Sequence, residues 1–136
     1  MQKTQLEALV ARHEGFSEHI YRCTAGKLTI GYGLNLQAGL PEDEAHMLLR
    51  MRLDKCAAAL QRRLPWFAAW PDDPRRDVLI DMAYQLGVDG LLAFRRFLAA
   101  CQKKDWPAAA KEMLDSKWAR EDSPNRAKEL AGMMRG

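Results

Sequence analysis

The sequence predicts an α+β fold that is mostly α, with one small β element near the N-terminus. Apolar residues recur at helical spacing through most of the 136 residues. Strand-favouring residues cluster only between His19 and Gly33, on either side of an Ala25-Gly26 turn, which predicts a β-hairpin. The length, with 48% hydrophobic and 29% charged residues, is typical of a single globular domain.

The first predicted helix places an acid at its end. Thr4 and Glu7 have the spacing of a capping box, and Leu6, Leu9, Val10 and His13 follow at helical spacing. Gly15 can take the left-handed conformation that ends a helix. We therefore expect the helix to run to about Glu14, with the Glu14 side chain free to point into a cleft.

The remainder of the chain predicts further helices separated by proline and glycine. A long helix is expected from Pro41 to about Leu64, before Pro65. The segment 65–74 is predicted to be a packed loop. Asp73-Pro74 and Gly87 indicate the start and end of the next helix. The spacing of Leu91, Phe94, Leu98 and Cys101 predicts another. Two more helices are expected to start at Asp105-Trp106-Pro107 and at Ser123-Pro124, the last one running to about Met134.

Charge and cysteine content exclude several classes of function. The net charge of +3 gives only a mild attraction to anionic partners. Basic residues are spread along the chain without a recognition motif, so a nucleic-acid partner is not predicted. Cys23, Cys56 and Cys101 lack the spacing of a metal site, so no metal is expected. An odd number of cysteines without a framework pattern indicates free thiols, so no disulfide is expected. The N-terminus has no pattern of an export signal, and no apolar run predicts membrane insertion.

Glu14, Cys23 and Thr29 are the candidate catalytic residues. The acid ends a helix, and the thiol and the hydroxyl follow nine and fifteen positions later on the predicted hairpin. A carboxyl group that protonates a leaving oxygen, opposite side chains that hold a water molecule, is the minimal apparatus for cleaving a glycosidic bond with inversion. Cleavage of a glycosidic bond with inversion is therefore one hypothesis for these residues, although a glutamate on a helix is more often a solvated surface group.

The chain also resembles the phage-type lysozymes, the endolysin and muramidase family typified by bacteriophage T4 lysozyme. The resemblance rests on the block E-G-x8-T-x-G-x-x-T-I-G-x-G that starts at Glu14, on the stretch 77–94 with its Tyr-Gln-Leu-Gly sequence, and on Ser116-Lys117-Trp118 and the segment 123–128. It implies a single two-lobe domain. The N-terminal lobe would span about 15–40 and the linking helix about 41–64. A helical C-terminal lobe would span about 65–136, with the first helix packed on it.

The resemblance implies hydrolysis of the β-1,4 bond between N-acetylmuramic acid and N-acetylglucosamine in peptidoglycan, without a metal or cofactor. It further implies a monomer that waits in the host cytoplasm for a holin-type membrane lesion and then acts on the wall from the periplasm. Lytic transglycosylase action on the same bond is one alternative. A non-catalytic basic protein that binds the wall or disrupts membranes is another, because the C-terminal run is amphipathic and cationic.

Residue roles are implied position by position. Glu14 matches the general acid and Thr29 the hydroxyl that holds the attacking water. Cys23 stands where the T4-type enzymes have an aspartate, although other members have a cysteine. We expect Cys23 to position water rather than to act as a base, because an ordinary thiol is mostly protonated near neutral pH. Arg22 and Lys27 are the only nearby cations that could stabilise its thiolate, and neighbours on a strand can point away from it.

Four further positions match supporting residues of the family. Arg126 corresponds to an arginine that pairs with the catalytic glutamate. Asn35, Tyr84 and Gln85 correspond to positions that contact the sugars.

Overall fold

The computed structural model describes residues 3–70 and 73–136, and its backbone is mostly helical, as predicted. Internal contacts divide the chain into two compact units, Met1–Met47 and Leu48–Gly136, which we call unit 1 and unit 2 and describe separately. The single catalytic domain with the lobe boundaries given above stays a prediction. None of the helices within the described ranges is both long enough and apolar enough to cross a bilayer.

Unit 1 contains a helix and a small antiparallel sheet. Its elements are α1 (Lys3–Glu14), β1 (Ser17–Arg22), β2 (Leu28–Gly31), β3 (Leu34–Asn35) and a 3₁₀ turn (Leu36–Ala38). The strand order is β1-β2-β3, so the predicted hairpin is confirmed and a third strand is added. The sequence pattern missed β3 because two residues are too few to show alternation.

The predicted end of α1 is confirmed, whereas its start lies before the expected cap at Thr4. The helix begins at Lys3, so Thr4 lies within its first turn rather than before it. At the other end, Gly15 has φ +70° and its N–H donates to the carbonyl of Ala11 at 2.8 Å. This left-handed residue turns the chain directly from Glu14 into β1.

The long helix α2 runs from Glu42–Arg63, within one residue of the predicted limits at each end. Its first turn carries Glu42, Asp43 and Glu44, and its last turn carries Arg62 and Arg63. Acids near the N-terminus and bases near the C-terminus both stabilise the helix macrodipole.

Unit 2 is entirely helical. After α2 it contains α3 (Pro65–Ala68), α4 (Pro74–Leu86), α5 (Val88–Leu92), α6 (Arg95–Gln102), α7 (Trp106–Leu114), a π-helical turn (Trp118–Asp122) and α8 (Pro124–Arg135). The predicted caps at Asp73 and Asp105 are confirmed, since each side chain accepts backbone N–H bonds from the first turn of its helix. Ser123 makes no side-chain cap.

Two predictions for unit 2 were wrong in detail. The segment 65–74 includes the one-turn helix α3, because proline at its first position needs no N–H partner. The helix expected around Leu91 to Cys101 is divided into α5 and α6. Phe94 leaves the helical conformation (φ −79°, ψ 64°), and its ring packs edge-on against Phe97 and Trp118.

The apolar core lies in unit 2. Its fully buried large side chains come from α2 to α8: Leu60, Phe67, Val78, Leu79, Met82, Leu91, Phe97, Cys101, Met113 and Met134. Trp70 and Trp118 are buried, and Trp66 and Trp106 pack against the same cluster. Arg75 joins the start of α4 to the end of α8 through a bond to the carbonyl of Met134 at 2.7 Å.

Candidate active site

The Glu14 carboxyl lies against the turn between β2 and β3. A Cβ atom placed on Gly33 would overlap Oε2 of Glu14 and stand only 2.7 Å from its Cδ. Gly33 has φ +73°, a conformation that favours glycine. The end of α1 and the β2–β3 turn therefore meet at this carboxyl group, which remains exposed.

Cys23 lies in the loop that joins β1 to β2. Its N–H donates to the carbonyl of Lys27 at 2.9 Å, and its carbonyl accepts from the N–H of Gly26 at 2.8 Å. The thiol is partly exposed. Backbone N–H groups of Lys27 and Ala25 lower the pKa of the Cys23 thiol; partial burial opposes them, and the Thr29 hydroxyl adds a smaller lowering.

The source of this stabilisation differs from the sequence expectation. The sequence pointed to cationic side chains, but the Arg22 guanidinium donates to the carbonyl of Gly26 at 2.9 Å. The groups that favour the thiolate are backbone amides of the tight loop after Cys23. Every residue type except proline supplies such amides, so their effect depends on the loop conformation. The only sequence signal for it was the Ala25-Gly26 turn.

Thr29 occupies the centre of the sheet and is 3% exposed, the only polar side chain fully buried among residues 3–70 and 73–136. It pairs with Tyr21 on β1 and with Asn35 on β3. Its hydroxyl donates to the carbonyl of Lys27 at 2.9 Å. A hydroxyl has one proton and two lone pairs, so in this orientation Thr29 accepts a hydrogen bond from water or a thiol; it must rotate to donate to a thiolate.

Asn35 uses its side-chain oxygen locally. Its Oδ1 accepts from the N–H of Gln37 at 2.9 Å and thereby caps the 3₁₀ turn. Contact with a sugar would therefore use the NH₂ group of Asn35 as a donor. The predicted role of Asn35 in sugar binding stays a prediction.

Tyr84 and Gln85 lie near the end of α4 in unit 2. Gln85 is held on both sides: Nε1 of Trp118 donates to its Oε1 at 2.9 Å, and its Nε2 donates to Oγ of Ser123 at 2.7 Å. Tyr84 is 42% exposed and borders a cavity of about 410 Å³ together with Arg52 and Lys55. The fixed amide and the accessible ring are compatible with the predicted sugar contacts, which stay predictions.

Arg126 makes an ion pair that the sequence analysis did not predict. From α8, its Nη2 lies 2.7 Å from Oδ1 of Asp81 on α4, and its Nε donates to the same oxygen at 2.8 Å. Both side chains are partly exposed. Asp81 was detectable as an acid between the core residues Leu79 and Met82. The predicted pairing of Arg126 with Glu14 joins residues of different units and stays a prediction.

A second feature that the sequence did not reveal is a groove of about 580 Å³ in unit 2. Its apolar lining includes Phe94 and Trp118, and the indole of Trp118 is the one that holds Gln85. Charged residues of both signs also line the groove: Arg95, Arg96, Glu112, Asp115, Lys117 and Asp122. Only the position of Trp118 in the Ser-Lys-Trp block pointed to this surface.

Comparison with known proteins agrees with these observations. The sequence profile of the family described as "Phage lysozyme" matches residues 11–135. The chain is also 35% identical over 63 residues to the probable T4-type lysozyme 1 of Dictyostelium discoideum, an alignment that covers 46% of this chain and 36% of that protein. The match thus spans little more than a third of the relative's length. Because the family profile covers nearly the whole sequence, the chain belongs to the phage lysozyme family.

Proposed function

We propose that the protein is an endolysin-type muramidase that hydrolyses the β-1,4 bond between N-acetylmuramic acid and N-acetylglucosamine in bacterial peptidoglycan. The observation that carries the proposal is the set of three functional groups that unit 1 contains. An exposed carboxyl is seated at the end of α1, and a thiol with a lowered pKa interacts with the buried hydroxyl of the sheet. Family membership supports the same class of enzyme.

Glu14 is the general acid in this mechanism. Its exposed carboxyl can reach the oxygen of a bound glycan and protonate it as the glycosidic bond breaks. The electron pair of the broken bond stays with that oxygen, which leaves as a neutral alcohol. Positive charge develops on the sugar carbon, which a water molecule then attacks.

Cys23 and Thr29 hold and activate that water. With its proton directed to the carbonyl of Lys27, the Thr29 hydroxyl accepts a hydrogen bond from the water. The Cys23 sulfur accepts the other water proton, and the lowered thiol pKa makes the thiolate a better candidate for the base than the sequence suggested. Attack from the face opposite Glu14 inverts the configuration at the anomeric carbon.

The remaining candidate residues bind the substrate or support the general acid. Asn35, Tyr84 and Gln85 contact the sugars, and Arg126 supports the charged form of Glu14. The enzyme acts as a monomer without a cofactor. It accumulates in the host cytoplasm, reaches the wall from the periplasm after a holin-type lesion permeabilises the membrane, and causes host lysis.

The deciding experiment is digestion of purified peptidoglycan by the wild type and by Glu14→Gln, with mass analysis of the fragments. We expect reducing ends, with inverted configuration in the first products, and a rate loss in Glu14→Gln of at least about 100-fold, because the amide cannot donate the proton. Glu18→Gln, at an exposed position on β1, is the matched control and should retain activity.

Other results would indicate other functions. Anhydro ends in the products would identify a lytic transglycosylase. Bacterial lysis that persists in a folded Glu14→Gln variant would identify a non-catalytic protein that binds the wall or disrupts membranes.

A further inference from the structure

Gly33 is the residue on which the Glu14 carboxyl rests. A Cβ at Gly33 would overlap Oε2 of Glu14 and would lie 2.7 Å from Cδ and 3.3 Å from Cγ. The carboxyl group thus occupies space that a side chain at Gly33 would need. Any other L-residue would have to displace the Glu14 side chain or move the turn.

This contact differs from the other left-handed glycines of unit 1. Gly15, Gly26, Gly31 and Gly39 also have positive φ, but a Cβ on any of them would meet no atom within 4 Å. Their conformation alone accounts for glycine there. At Gly33, the conformation and the proximity of Glu14 both require glycine.

The contact also distinguishes the two carboxyl oxygens. Oε2 faces the backbone of Gly33, whereas Oε1 is not among the three atoms nearest to the Cβ position and so lies farther from it than Cγ does. Peptide backbone is the least adjustable surface against which a side chain can rest. The turn therefore limits how the carboxyl can tilt and keeps Oε1 farther from Gly33 than Oε2.

We infer that Gly33 is a positioning residue for catalysis: its bare backbone seats Oε2 of Glu14 so that Oε1 faces the leaving oxygen. The inference rests on the proposed role of Glu14 as the acid. A displacement of about 1 Å in a reacting group can cost about 100-fold in rate. A methyl group at Gly33 would produce a displacement of that order.

The test compares Gly33→Ala with Gly31→Ala, which shares the positive φ but has open space around its Cβ. On purified peptidoglycan, we expect Gly33→Ala to lower kcat about 100-fold more than Gly31→Ala does, with little change in KM. Equal kcat losses in the two variants would overturn the inference. If the wild type released no glycan fragments, or if Glu14→Gln retained full activity, the proposed function itself would fail. The comparison of kcat values therefore applies only if the wild type cleaves peptidoglycan and Glu14→Gln does not.

A stability cycle tests the contact without activity. Gly33→Ala should lower the unfolding midpoint more in the wild type than in Glu14→Ala, because only the wild type has a carboxyl in the way. Gly31→Ala should lower it equally in both backgrounds. If Gly33→Ala alone fails to fold, recovery of folding in the Glu14→Ala double variant supports the inference. If Gly33→Ala lowered the unfolding midpoint equally in both backgrounds, backbone strain alone would explain the glycine, and the inference would be overturned.

Discussion

The two units bury different kinds of side chain. In unit 2, the buried side chains are apolar and come from every helix from α2 to α8. In the described part of unit 1, the only fully buried side chain is Thr29, whereas Phe16 and Tyr32 are 66% and 58% exposed. Apolar burial supplies most folding free energy. Unit 2 therefore has the composition of a stabilising core, and unit 1 has that of a scaffold for polar groups.

This contrast implies that substitutions should separate into two classes. Removing a core side chain from unit 2 should lower stability, while removing a polar group of the unit 1 site should lower the rate of glycan cleavage with less effect on folding. Active-site residues are retained for activity rather than for stability, so substitutions there are expected to affect the rate more than the stability.

The largest expected effect is on stability and comes from Phe97→Ala. Phe97 is 1% exposed and contacts Phe94 edge-on, so its truncation should leave a cavity and cost about 3–5 kcal/mol in the free energy of unfolding. The matched control is Phe16→Ala in unit 1, which should cost much less because its ring is exposed. Urea unfolding of the three proteins measures both values. Equal losses would show that unit 1 depends on apolar burial as much as unit 2 does.

The same contrast explains what the sequence could predict. The ends of α1, α2 and α4 were anticipated because glycine, proline and capping side chains act locally. The division between α5 and α6 was not, since Phe94 leaves the helical path and its ring packs against Trp118, which is distant in the sequence. Local rules do not contain such contacts.

For the candidate site, the residues were predictable and their surroundings were not. The motif pointed to Glu14, Cys23 and Thr29. It did not reveal that the Gly33 backbone seats the carboxyl or that backbone amides favour the thiolate, because both depend on loop conformation. The ion pair of Arg126 with Asp81 joins residues that are 45 positions apart and likewise follows from packing.

The thiols of the two units should differ in reactivity. The Cys23 pKa is lowered by the N–H of Lys27 and the other groups of its loop, whereas burial raises the pKa of Cys101 to about 12. Thiolate is the reactive form, so iodoacetamide near neutral pH should modify Cys23 first and leave Cys101 unmodified in the folded protein. Peptide mass analysis over time measures the order. Faster modification of Cys101 would contradict both pKa directions.

The catalytic consequence follows from the same lowered pKa. If the Cys23 thiolate is the base, the pH profile of wild-type cleavage should contain an ionisation whose deprotonated form is active and whose midpoint lies below the ordinary thiol pKa of 9.0. Cys23→Ser should lose about 100-fold, since its hydroxyl does not ionise in this range, while Cys23→Asp should remain active. A Cys23→Ser variant with substantial activity would restore the water-positioning role that the sequence favoured.

The smallest expected effect concerns Arg126 and Asp81. Because both side chains are partly exposed, Asp81→Asn should change the free energy of unfolding by only about 0–1 kcal/mol. Arg126→Ala removes the same ion pair and so should have a similar effect on stability. The rate of glycan cleavage distinguishes the roles: if Arg126 also supports Glu14, Arg126→Ala should alter the pH profile of cleavage while Asp81→Asn leaves it unchanged. Matching profiles in the two variants would confine Arg126 to joining α8 to α4, and would remove it from the set of residues that act on the acid.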